Sequence, residues 1–473
     1  MLDHCEKVFL VDSETMKARA EVMMEQKNSA DRGFWLCGPK LRFLGFLFKF
    51  CKFLWREAMT LLDGLRSDKH SEQLQSATEI TRILSEGMQG NITLAAADLI
   101  QSGVVDRFIG LIRDEEFPRL QYEAARGLTV IAAFKPDLLV YCNAGPFLVK
   151  LLASSRYYVR EQAMWALGNL AGHSIHRDYV LKSGALRPLL SQLYEDTNLS
   201  VLRIATRTLS NLCYGMLPPT FNEVKPALEL HLNSRDEEVL RCVCLAISYL
   251  CDGSIDGIQS VIEAGFVPKL VEVLRHPSPV VLSPVLRTIG IIVTVNNHQS
   301  QVVIDCGALH ILGDLLTRAY ERYIKADTFL TISRITTGFT EQLQAVIDAN
   351  LIPRFVYLAQ NNELDLKKEG VWAISNVTAG GSHDQIIYLV QQGCIKPLCD
   401  LLVCPDVRII LVCLDGLENI LNVGEANIGE VNDYCQLVED AQGLEKIQNL
   451  RQHGSYEIYA KALKILETFW HDE

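Results

Sequence analysis

Apolar residues along this chain fall at i, i+3, i+4 and i+7 within successive segments, and alternating strand-like runs are absent, so the pattern predicts an all-α protein. The helical segments repeat. A seven-residue apolar marker, written RGLTVIA, WALGNLA, RTLSNLC, LAISYLC, RTIGIIV, LTISRIT, WAISNVT and DGLENIL, begins at Arg126, Trp165, Arg207, Leu245, Arg287, Leu330, Trp372 and Asp415, at spacings of 38 to 43 residues. Glycines ahead of an apolar segment run in phase with it: Gly103, Gly145, Gly184, Gly265, Gly307 and Gly393, with Asn350 filling the same place in DANLI. Their steps are 39 to 43 residues, apart from one double step of 81 between Gly184 and Gly265, where Pro226 in EVKPAL interrupts the pattern. Glycine or asparagine suits a tight link that needs positive φ. Each unit reads as a short helix, a second helix such as VIEAGFVPKLVEVL running across the glycine, and a longer amphipathic helix carrying the marker.

Three helices in about 42 residues is the armadillo pattern, with the two-helix HEAT repeat as its close alternative. One such unit cannot bury its apolar faces alone. Stacking is therefore expected to give a right-handed armadillo-repeat superhelix, an α-α solenoid with one long concave surface. Eight clear units lie between about Leu111 and Leu421, preceded by a weaker one (LQSATEITRILSEG) and closed by a degenerate one (QGLEKIQNL to ALKILETFW), about ten in all. The links are short polar turns such as Ser154-Ser155, His276-Pro277 and Asn361-Asn362. Residues 71–473 form the expected repeat domain, and residues 1–70 a divergent basic-aromatic segment, disordered or capping the first repeat.

Composition narrows the function. With 473 residues, 49% hydrophobic, and only 15 prolines, the chain has ample apolar surface for continuous burial. A net charge of -12 argues against nucleic-acid binding, which needs clustered Lys/Arg, and suits basic ligands better. The 14 cysteines lack paired metal-ligand spacing, even at Cys242 and Cys244, and read as reduced structural thiols of the cytosol or nucleus. The aromatic stretch at residues 34–55 is broken by Lys40, Arg42, Lys49 and Lys52, so a spanning helix is not expected there; an amphipathic segment on a membrane or partner is the other reading. It also lies too far from Met1 for a typical signal peptide. No glycine-rich phosphate loop, nucleophile elbow or metal spacing is present, so neither an enzyme nor a cofactor is expected. His173, His176 and Asp178 read as solvated residues of a turn between helices.

The first and fifth residues of the marker share one helix face. In Trp165/Asn169 and Trp372/Asn376 that pair is tryptophan and asparagine, twice in phase. An isolated tryptophan at helical spacing is ordinarily core. A phased pair points to a ladder in which amides bond an extended peptide and indoles hold lysine or arginine stems, each cation–π contact contributing about 0.5–2 kcal/mol. Glu369, one turn before Trp372, is a candidate for the charged head.

VREQAMWALGNLAG, VIEAGFVPKLVEVLRHPSPVVLSPVLRTIG, DLKKEGVWAISNVTAGGSHDQIIYLVQQGCIKPLCDLL and CLDGLENIL resemble the importin alpha family, over about Gln73 to Trp470. The resemblance implies an adaptor of the cytoplasm and nucleus. It would bind lysine/arginine-rich nuclear localisation signals of cargo proteins in its groove and hand them to importin beta. It also implies two sites. Of the larger, Gln162, Trp165, Asn169 and Asn211 stand, while Arg126, Val130 and Arg207 replace two tryptophans and an asparagine, His173 replaces an acid, and Phe134 and Leu139 fill the lysine pocket. Like charge then replaces stacking. Of the smaller, Arg287, Val293, Glu369, Trp372, Ser375 and Asn376 stand, Ser300 replaces a threonine, and Leu330 and Arg334 take the place of a tryptophan and an asparagine. The family's Arg/Lys-rich arm, which docks importin beta and folds back on the groove, has no match in residues 1–70, whose densest basic run is Lys40-Leu41-Arg42; its acidic tail is reduced to His471-Asp472-Glu473. These departures leave an alternative, an interaction scaffold without signal binding or importin beta coupling.

Overall fold

A computed structural model describes residues 56–86, 99–194, 198–215, 217–361, 364–426 and 432–470. The aromatic stretch 34–55, the Lys40-Leu41-Arg42 run and His471 to Glu473 lie outside those residues. Within them every regular element is helical, so the chain is an all-α armadillo solenoid. It divides into two compact units, Met1–Pro219 and Thr220–Glu473.

Long third helices set the order of each unit. In the first they are α1 (His70–Glu86), α2 (Pro118–Phe134), α3 (Tyr157–Ala171) and α4 (Leu199–Cys213), each packed on the next. In the second they are α5 (Glu237–Cys251), α6 (Pro279–Val295), α7 (Arg322–Ile335), α8 (Leu364–Gly380), α9 (Val407–Ala426) and α10 (Tyr456–Phe469), again in series. Residues 56–65 add a helix ahead of α1 that buries Ala58, Leu62 and Leu65.

The marker explains the packing. In α3, Ala166, Leu167, Gly168 and Leu170 are buried, and in α8 Ala373, Ile374 and Val377 are, so the middle of the motif faces the neighbouring helices. Each buried leucine or isoleucine contributes about 1.5–3 kcal/mol against exposure. Starts are set by polar caps: Asn198 accepts from Ser200 N ahead of α4, and Asp236 accepts from Val239 N at 3.1 Å ahead of α5. Pro118 and Pro279 open α2 and α6, where a missing N–H costs nothing. At the closing repeat, Glu418 of α9 is buried but bonds Lys461 and Lys464 of α10, the latter at 2.8 Å. Burial works to raise this carboxyl, but the two ammonium groups outweigh it and hold Glu418 below its ordinary value.

Three sequence expectations are corrected in detail. VIEAGFVPKLVEVL is not one helix crossing its glycine: Ile255–Glu263 ends, Gly265 turns at φ 75°, and Phe266–Val273 begins. A helix cannot continue through a left-handed residue. Second, Gly145 is not the left-handed residue of its repeat; Asn143 is, at φ 52°. Gly145 opens the following helix instead, where an added Cβ would lie 2.5 Å from Ser183 Oγ. Third, Pro226 sits inside the helix Phe221–His231, which alone precedes α5 among the described residues, so that repeat has lost its first short helix.

Candidate peptide-binding surfaces

The first residue of the marker is exposed in six of the eight repeats, Arg126 and Leu245 being half-buried, and the fifth is half-buried along both series of third helices. Trp165 on α3 is 44% exposed and Trp372 on α8 is 39% exposed, which removes the core reading for either indole. An exposed tryptophan on a rigid helix, repeated at the same register, presents an aromatic face to a ligand.

The fifth residues do structural work as well. Asn169 Nδ2 donates to Thr129 O of α2 at 3.1 Å, and Asn211 Nδ2 to Gly168 O of α3 at 2.9 Å. In the second unit Asn376 Nδ2 donates to Ser333 O of α7 at 3.3 Å, and Asn419 Nδ2 to Thr378 Oγ1 of α8 at 3.3 Å. Each amide thus stitches its helix to the preceding one, a bond of about 0.5–1.5 kcal/mol. A primary amide has two N–H groups and a carbonyl, so Asn169 and Asn211 keep an N–H for a peptide backbone, while Asn376, which also donates to Thr336 Oγ1 at 3.3 Å, keeps its carbonyl.

Around Trp165 the aromatic ladder is short. Arg126 on α2 pairs with Glu123 at 3.5 Å, and Arg207 on α4 is exposed, so a guanidinium replaces an indole on each side. Val130 offers no amide, and Leu139 is buried, with Phe134 half-buried. Gln162 is buried, its backbone carbonyl accepting from Thr129 Oγ1 at 3.0 Å. His173 is exposed before the helix Ser174–Lys182. His176 is not the solvated turn residue expected: it is buried on that helix with Nε2 3.0 Å from Asp137 Oδ1.

The second unit holds the fuller set. Trp372, Asn376 and Glu369 occupy successive turns of α8. Burial raises the Glu369 carboxyl above its ordinary value, Arg334 opposes that shift, and Asp365 adds to it. Arg287 on α6 extends to Asp252 at 2.6 Å and lies 5.7 Å over the Tyr249 ring. Val293, Ser300 and Ser375 have buried side chains: Ser300 Oγ donates to Val293 O at 3.0 Å and Ser375 Oγ to Val412 O at 3.0 Å. They shape the frame behind the exposed row. On α7, Leu330 is 38% exposed, and Arg334 Nη1 donates to Gly290 O at 2.9 Å in the way the asparagines do.

Sequence reasoning passed over Tyr249, Asp252, Asp327 and Asn419. The first and last were within reach, because Tyr249 and Asn419 are the fifth residues of LAISYLC and DGLENIL. Asp252 and Asp327 needed three-dimensional neighbours to stand out.

The Armadillo/beta-catenin-like repeat family matches residues 173–214, 254–294, 339–379 and 382–421, and the Atypical Arm repeat matches 432–473. An engineered protein of known crystal structure superposes with a TM-score of 0.73 at 24% identity, covering 87% of this chain and 98% of that one, a likeness of fold. Importin subunit alpha-8 of Arabidopsis thaliana is 54% identical over 420 residues, spanning 87% of this chain and 93% of that protein. Importin subunit alpha-1b of Oryza sativa subsp. japonica is 53% identical over 424 residues, spanning 87% of this chain and 79% of its own. Identity of this level over 87% of the chain settles the kinship: the chain belongs to the importin alpha family.

Proposed function

We propose that this protein is a nuclear-import adaptor that holds lysine/arginine-rich localisation signals of cargo proteins as extended peptides, chiefly on the face of α8 around Trp372, and works between cytoplasm and nucleus. The observation that carries this reading is the exposed Trp372 with Glu369 one turn before it and Asn376 one turn after. Indole for the aliphatic stem, carboxylate for the ammonium head and amide for the backbone supply the three contacts that a lysine in an extended chain requires. The relatives' names, importin subunit alpha, support the transport role. Trp165 and Asn169 form a second, weaker station, with Arg126 and Arg207 repelling a cationic ligand on either side.

A second reading, an interaction scaffold without import coupling, is favoured by Arg126, Val130 and Arg207 standing where the ladder calls for aromatic and amide groups. Titration of a fluorescent lysine-rich peptide distinguishes the two, together with a pull-down on importin beta. The adaptor binds both, and Trp372→Ala weakens the peptide about tenfold, the scale of one cation–π slot. Binding to neither would leave the scaffold.

A further inference from the structure

The rung on α7 differs in chemistry from its neighbours. Where α8 presents Trp372 and Asn376, α7 presents the exposed Leu330 and the half-buried Arg334. Arg334 keeps the structural bond of the rung, Nη1 to Gly290 O at 2.9 Å. It reaches the α6 backbone because residue 290 has no side chain; a Cβ there would lie 3.2 Å from Nη1. That bond uses one of five guanidinium N–H groups. Among the described residues no carboxylate oxygen lies within 4.0 Å of Arg334. Two acids feel its field, Asp327 and Glu369; both are half-buried, and burial holds both above ordinary carboxylate values against the arginine. The guanidinium is therefore anchored at one edge and retains a planar fork of donors suited to a carboxylate.

We propose that Leu330 and Arg334 make this rung a subsite for an acidic peptide side chain, so that the preferred ligand joins a lysine or arginine at Trp372 to an aspartate or glutamate two or three residues away. The inference rests on the reading that Trp372 holds a basic residue. The spacing follows from geometry: neighbouring helices pack roughly 8–10 Å apart, and an extended chain advances about 3.3 Å per residue. A lysine opposite Arg334 would meet like charge, and a neutral residue would leave the fork in water. A carboxylate would be held by two parallel hydrogen bonds while Leu330 covers its methylenes.

The test uses the full chain and fluorescent peptides with one lysine anchor, carrying Glu, Gln or Lys at two and three residues on both sides of it, so that chain direction is immaterial. The expected order of affinity is Glu above Gln above Lys, by about threefold at each step. Arg334→Asn keeps the bond to Gly290 in the manner of Asn169 and Asn211 and should reverse the order; Arg334→Lys keeps the charge and should preserve it. Wild-type preference for the Lys peptide overturns the inference. If Trp372→Ala weakens every peptide while the order ignores residue 334, this inference falls and the reading of Trp372 stands. If Trp372→Ala changes nothing, both fall.

Discussion

At the scale of residues, the proposed ligand face rests on Trp165, Trp372 and Glu369. Exposure of the two indoles, repeated at one register, is what a ligand face requires and a core does not. Glu369 adds a pH signature. Its carboxyl is raised mainly by burial, so in the free protein it takes up a proton at higher pH than an ordinary glutamate. A lysine is attracted only to the ionised form. Affinity for a basic peptide should therefore rise as pH climbs through the region just above the usual carboxylate range and then level off, and Glu369→Gln should flatten that rise; a titration unchanged by the substitution contradicts the assignment. The shared register of these residues was legible beforehand, because Trp, Asn and Glu stand in WAISNVT and the turn before it. Less legible was which side chains face outward: Val293, Ser300 and Ser375 share the motif's neighbourhood but are buried, since position within a helix turn and not residue type decides exposure.

At the scale of elements, helix ends and close approaches decide stability. The third helices were readable from the marker, since their apolar spacing is long and regular. The short helices were not, because a glycine inside an apolar run fits both a continuous helix and a break; at Gly265 the left-handed backbone gives the break. Gly265→Ala meets no atom within 4 Å, so its cost is conformational, about 1–2 kcal/mol by chemical denaturation. Gly370→Ala on α8 is different: the new Cβ would lie 2.7 Å from Ala359 Cβ and 3.1 Å from its amide nitrogen. Backbone cannot yield as a side chain does, so about 1–3 kcal/mol should be lost as the helix Ile352–Asn361 is pushed from α8. Gly110→Ala, in the helix Val104–Leu111 with nothing within 4 Å, should instead be neutral or gain up to about 1 kcal/mol in the same assay. The reading of Gly145 as a left-handed link failed because asparagine tolerates that conformation, and Asn143 lay two residues away.

For the whole molecule, periodicity and charge set the behaviour. The period alone gave the solenoid, since no unit of three short helices closes a core without a neighbour. It marked the interruption at Pro226 but not its form, a proline inside the helix Phe221–His231. A net charge of -12 should draw basic peptides from a distance. Raising ionic strength from low to about 1 M shortens the screening length from tens of ångströms to about 3 Å, so affinity for a lysine-rich peptide should fall steeply, mainly through slower association in stopped-flow traces. A salt-independent affinity would mean that apolar contacts alone hold the ligand. The central claim is that a stretched basic chain lies along the exposed face of α8, and photo-cross-linking tests it most directly. A lysine-rich peptide carrying a photoreactive group beside its anchor lysine should label residues on α7, α8 and α9 around Trp372, with the label lost on Trp372→Ala; labelling confined to other helices, and unaltered by that substitution, would contradict it.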